Sequence, residues 1–188
     1  MMPRTASTVR PALFIDLAGV LLDTAPARGP LPGLRGGVGG ALRLLDRLDY
    51  RIVVLAPCAL DRRQAAHLLP ARIADLLARE RVPLAGCCSC DATSRPCAAC
   101  PPAPAGLVRA AREHGVALGA SWLLGREAHH LAAAQGAGCK TVLIGMDGET
   151  DAWPSAWPAC GARDGPPAYI ARDIVDAALA IVRIDGGT

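Results

Sequence analysis

Lysine is almost missing from this chain: Lys140 is the only one in 188 residues. Aromatic residues make up just 3%, while alanine, arginine, glycine and proline abound, a bias that fits a high-GC coding sequence and explains arginine in place of lysine. Net charge is only +3 and the arginines that carry it are dispersed, so no nucleic-acid footprint is expected. The roughly eighteen uninterrupted apolar residues needed to span a bilayer are absent too, which argues against a membrane segment. Arg4 and Arg10 precede an apolar run in the manner of a secretory signal, but Asp16 interrupts that run and no convincing cleavage site follows. A soluble cytoplasmic protein is the expectation.

What the chain does have is apolar content. With 52% hydrophobic residues it can bury one full core, most simply as one domain over residues 1–188. The runs ALFID (12–16), RIVVLA (51–56), SWLLG (121–125) and KTVLIG (140–145) are continuous rather than alternating, as in strands buried on both faces. Helical spacing separates them. Leu42, Leu45 and Leu48 share one face, as do Leu107, Ala110 and Ala111 ahead of a stop at Gly115, and Ile174, Ala178 and Ile181. Strands alternating with such helices predict a three-layer α/β domain, a Rossmann-like parallel sheet with helices on both faces.

Ligands of such sheets bind outside the carboxyl ends of the strands. Asp16, the segment 56–60 and the segment 125–130 all fall there and should converge on one crevice. Two stretches rich in proline and glycine, 25–37 and 145–168, read as loops that could cover it. The second carries Trp153 and Trp157, suited to capping the crevice or to forming an exposed docking patch.

Eight cysteines could suggest disulfides, yet five of them, Cys87, Cys88, Cys90, Cys97 and Cys100, crowd into residues 87–100. Two short-spaced pairs separated by six residues can wrap four thiolates around zinc, so a zinc-binding loop insertion is expected. Spacing allows either Cys87 or Cys88 to pair with Cys90. Cys58, Cys139 and Cys160 read as buried small residues.

Asp16 after a buried strand, followed by LAGV, resembles motif I of the haloacid dehalogenase superfamily of phosphatases, Asp-x-Asp-Gly-Thr/Val. The cysteine cluster makes the chain similar to the heptose-bisphosphate and histidinol-phosphate phosphatases within it. The resemblance runs from about Ala12 to Val182. It implies that Asp16 matches the nucleophile that attacks phosphorus, but Ala18 stands where the second aspartate protonates the leaving oxygen. A placed acid supplies roughly a hundredfold or more in rate, and alanine has no proton to give. The resemblance puts Ala56 at the phosphate-holding threonine or serine, with Cys58 nearby, and Pro102 at the neutralising lysine. Gly125 is kept in the magnesium motif Gly-Asp-x-x-x-Asp, but Arg126 and His130 replace its two aspartates. An arginine there repels a divalent cation, so the pattern speaks against magnesium.

Two fates for the altered crevice follow. Glu127, His129, His130 and Asp16 could form a rebuilt zinc or iron site, or Arg126 could pair with Asp16 and neutralise both charges. For the cysteine loop, the resemblance implies zinc ligation by Cys88, Cys90, Cys97 and Cys100, a closed structural site. The favoured reading is a degenerate sugar-phosphate phosphatase-like protein without efficient hydrolysis, with a phosphorylated sugar as ligand at Arg126 or a protein partner that it regulates. The alternatives are an active magnesium-dependent phosphatase acting on heptose bisphosphate or a related monoester through Asp16, and a zinc-containing interaction module.

Overall fold

The computed structural model describes residues 9–22, 33–56, 69–88, 103–145 and 166–187. Six strands form one sheet: β1 Ala12–Asp16, β2 Arg51–Leu55, β3 Leu84–Cys88, β4 Trp122–Gly125, β5 Lys140–Ile144 and β6 Tyr169–Ala171. Their spatial order is β3-β2-β1-β4-β5-β6, and every pairing is parallel. Among the described residues four α-helices lie between successive strands, α1 Val38–Arg47, α2 Leu69–Arg79, α3 Pro104–His114 and α4 Ala128–Ala137, and a fifth, α5 Ile174–Gly186, follows β6, with a 3-10 turn at Leu118–Ala120.

Side chains alternate across the sheet and divide the core in two. Leu13, Ile15, Ile52, Val54, Trp122, Leu124, Val142 and Ile144 pack with α1, α2 and α5 on one face. Phe14, Val53, Leu55, Cys88 and Leu123 pack with α3 and α4 on the other. Burial on both faces is why β1, β2, β4 and β5 read as unbroken apolar runs. The three-layer expectation holds, and the ends of these four strands move by no more than one residue from those expected.

Among the helix faces, Leu42 and Leu45, Leu107, Ala110 and Ala111, and Ile174, Ala178 and Ile181 are all buried as expected. Leu48 is not. It lies one residue past α1 and is 45% exposed, because the chain there leaves the helix through Asp49, whose φ is +70°. Asp49 N–H donates to the Asp46 carbonyl and Tyr50 N–H to that of Leu45, a Schellman turn that swings Leu48 outward. The end of α2 repeats this turn with Arg81 at φ +57°.

The lone lysine sits at the amino end of β5, away from the crevice end of the sheet. Asp185 near the end of α5 accepts hydrogen bonds from Lys140 Nζ, the Tyr50 hydroxyl and, at 2.7 Å, Trp122 Nε1. Lys140 also lies over the Trp122 ring, 4.5 Å from its centroid. Burial pushes the Asp185 carboxyl up, but these donors outweigh it and hold it below the usual value. No helix among the described residues is long and apolar enough to cross a membrane.

Candidate functional site

Strand order reverses direction between β1 and β4, and in such sheets the carboxyl ends of the strands at this point are where ligands bind. Asp16 ends β1 and is only 8% exposed. The chain then makes one wide turn, in which Leu21 N–H donates to the Asp16 carbonyl and Leu22 N–H to that of Leu17. These bonds skip back five residues, the spacing of a single π turn. Gly19 lies in it at φ +79°, and a Cβ there would come within 2.5 Å of the Arg126 guanidinium. The left-handed backbone therefore favours glycine there, and a side chain would also have to displace the Arg126 guanidinium.

Across the crevice, Arg126 and Glu127 connect β4 to α4. Arg126 donates to the Gly19 carbonyl at 3.4 Å, and Arg35 reaches the same oxygen at 2.7 Å. Two guanidinium groups thus meet at the rim of the β1 turn. Nothing in the sequence pattern around Arg35 marks it for this place. The expected pairing of Arg126 with Asp16 does not form.

Asp16 faces His130 instead. The imidazole is 2% exposed, and its Nε2 lies 3.7 Å from Asp16 Oδ2. Its other nitrogen, Nδ1, accepts the Glu127 backbone N–H at 3.1 Å. Position 130 is the third of the helix, where a glutamate or glutamine commonly folds back to satisfy the N-cap amide, and here the imidazole does so. The ring rests on the Gly125 backbone so closely that a Cβ at 125 would lie 2.4 Å from His130 Cγ. Retention of Gly125 is thereby explained by packing.

His129 stacks on His130 with centroids 4.3 Å apart and places Nδ1 3.1 Å from Glu127 Oε2. Partial burial, then the neighbouring His130, push His129 below the usual histidine value. The rebuilt site of Glu127, His129, His130 and Asp16 is not brought together: among the described residues no three histidine, cysteine or carboxylate side chains are placed to hold one metal.

Ala56 ends the neighbouring strand, its N–H donating to the Cys88 carbonyl at 2.9 Å, so no hydroxyl stands there. With Arg126 and His130 at the two positions expected to carry carboxylates, the described donors do not suit magnesium, which takes oxygen ligands.

Solved structures with this architecture include the D,D-heptose 1,7-bisphosphate phosphatase from B. bronchiseptica complexed with magnesium and phosphate. It is 19% identical, with a TM-score of 0.71 over 92% of this chain and 99% of that one. The chain has the haloacid dehalogenase-like fold. Under the same fold, the cobalt-bound deoxy-D-mannose-octulosonate 8-phosphate phosphatase from Haemophilus influenzae is 15% identical, with a TM-score of 0.57 over 96% of this chain and 91% of that one. The L-2-haloacid dehalogenase from Xanthobacter autotrophicus, with chloropropionic acid covalently bound, is 12% identical, with a TM-score of 0.55 over 83% and 62%. No protein-family model matches the sequence, and no curated protein matches it.

The first two cysteines of the cluster, Cys87 and Cys88, end β3. Cys87 and Cys88 face opposite sides of the sheet, Cys87 toward the face of α1 and α2 and Cys88, buried, toward that of α3. Burial pushes the Cys88 thiol up to about 11 and the Cys87 thiol to about 12. Cys90, Cys97 and Cys100 lie outside the described residues, as do Cys58, Cys160, Pro102, Trp153 and Trp157. Cys139 is buried as expected.

Proposed function

We propose that the chain is a degenerate phosphatase-like protein that binds a phosphorylated sugar in this crevice and does not hydrolyse it efficiently. The observation that carries this reading is the crevice itself: Asp16 is retained at the tip of β1, while Ala18 and Ala56 supply neither acid nor hydroxyl and His130 faces the carboxylate. The phosphosugar class is drawn from the heptose-bisphosphate and octulosonate-phosphate phosphatases that share the fold.

Charge decides how such a ligand lies. A phosphate about 4 Å from an ionised Asp16 would be repelled by about 4 kcal/mol per unit charge at an effective dielectric near 20. We therefore assign the phosphate to Arg126 at the rim and sugar hydroxyls to Asp16. An arginine-to-phosphate contact contributes about 1.5–3 kcal/mol, so Arg126→Ala should weaken binding at least tenfold. Isothermal titration with a sugar bisphosphate tests this. Heat that Arg126→Ala diminishes supports the reading, and no heat with the wild-type chain refutes it.

We assign structural zinc to Cys88, Cys90, Cys97 and Cys100. Cys88 is preferred to Cys87 because α3, into which the cysteine segment leads, packs on the Cys88 face of the sheet. A chain of this kind could also regulate a protein partner, a role compatible with ligand binding.

A further inference from the structure

We infer that the crevice is closed to divalent metal by a histidine locked in one tautomer, so that whatever binds there is held by side chains directly. His130 decides this. Its Nδ1 receives the Glu127 N–H, so that nitrogen must present its lone pair inward to the helix cap. In the neutral ring the proton then resides on Nε2, the atom that points at Asp16. A metal held jointly by Asp16 and His130 would need the lone pair on that same nitrogen. Supplying it would move the proton to Nδ1 and set two N–H groups against each other at the cap.

The ring has no other place to go. It is 2% exposed, seated on Gly125 and stacked on His129. Arg126 adds a positive charge at the β1 turn, where it donates to the Gly19 carbonyl at 3.4 Å. The lock thus acts against nitrogen-seeking metals such as zinc, whereas magnesium, which takes oxygen ligands, is opposed by the Arg126 charge and finds Asp16 as the one carboxylate paired with His130 among the described residues. It holds whether or not a phosphosugar binds.

The full-length chain, with any cysteine-bound metal left in place, can be titrated with Mn²⁺ while free Mn²⁺ is followed by electron paramagnetic resonance. Long-range ¹H–¹⁵N spectra read the His130 tautomer on the same material. Expected are no submillimolar Mn²⁺ binding by the wild-type chain and an Nε2–H pattern for His130 that Mg²⁺ leaves unchanged. Arg126→Asp with His130→Asp should bind Mn²⁺ at least tenfold more tightly than wild type; should that pair fail to fold, Arg126→Asp alone should show a smaller gain. Submillimolar wild-type binding that Asp16→Asn abolishes would overturn the inference, as would an Nδ1–H tautomer or a folded double variant with no gain.

Discussion

Gly125→Ala should destabilise the protein through a single contact. The added methyl would lie 2.4 Å from His130 Cγ and 2.5 Å from its Cβ, far inside van der Waals contact. A flexible neighbour could yield, but this ring is buried and tied to the Glu127 amide. Overpacking of that kind costs about 1–3 kcal/mol. At 2–4 °C per kcal/mol for a chain of this length, a cost near 2 kcal/mol lowers the melting temperature by about 4–8 °C. His130→Gly carries its own loss, since it removes the cap partner and leaves a cavity. In that background, however, the alanine at 125 meets neither the ring nor its Cβ, so the two substitutions should be strongly non-additive. The assay is a double-mutant cycle by chemical denaturation, with an expected coupling of about 1–3 kcal/mol. A Gly125→Ala variant as stable as wild type, or additivity within about 0.5 kcal/mol, would refute the account of how His130 is held.

Three further outcomes are expected. Because the Asp185 carboxyl is held below its ordinary value when folded, it stabilises the fold above the ordinary carboxylate range and loses that effect as pH falls through the depressed value; the gap in melting temperature between wild type and Asp185→Asn should therefore be widest near neutrality and narrow below about pH 4. Arg81→Gly relieves a left-handed backbone conformation at the end of α2 and should raise the melting temperature by about 1–3 °C, whereas Arg81→Val should lower it. Elemental analysis should find about one zinc per chain, lost when Cys97 and Cys100 are both changed to serine; full zinc content in that variant would remove the ligand assignment.

Much of this fold is legible in the sequence because its four central strands are buried on both faces, which leaves unbroken apolar runs. β3 and β6 are not legible in that way. β3, LAGCC, is half-buried along most of its length and contains Gly86, which gives way to the His114 ring, so its cysteines draw the eye and its pairing goes unread. β6 has only three residues. Leu48 misleads because helical spacing alone does not reveal that the chain turns at Asp49, where glycine is the usual residue. At the site, the position of Asp16 follows from strand order, but the role of His130 does not: a polar residue at the third position of a helix signals a cap, and only the fold shows that the opposite edge of the same ring meets Asp16. Arg35 reaches the crevice through a hydrogen bond that no spacing rule predicts.

Phosphate release from a panel of sugar bisphosphates and histidinol phosphate, with and without magnesium, compares the wild-type chain with Asp16→Asn most directly on the central claim. The account predicts no turnover above the Asp16→Asn background in folded protein, because Ala18 has no proton to deliver to the leaving oxygen. Magnesium-dependent turnover that Asp16→Asn abolishes would contradict it and establish Asp16 as a working nucleophile.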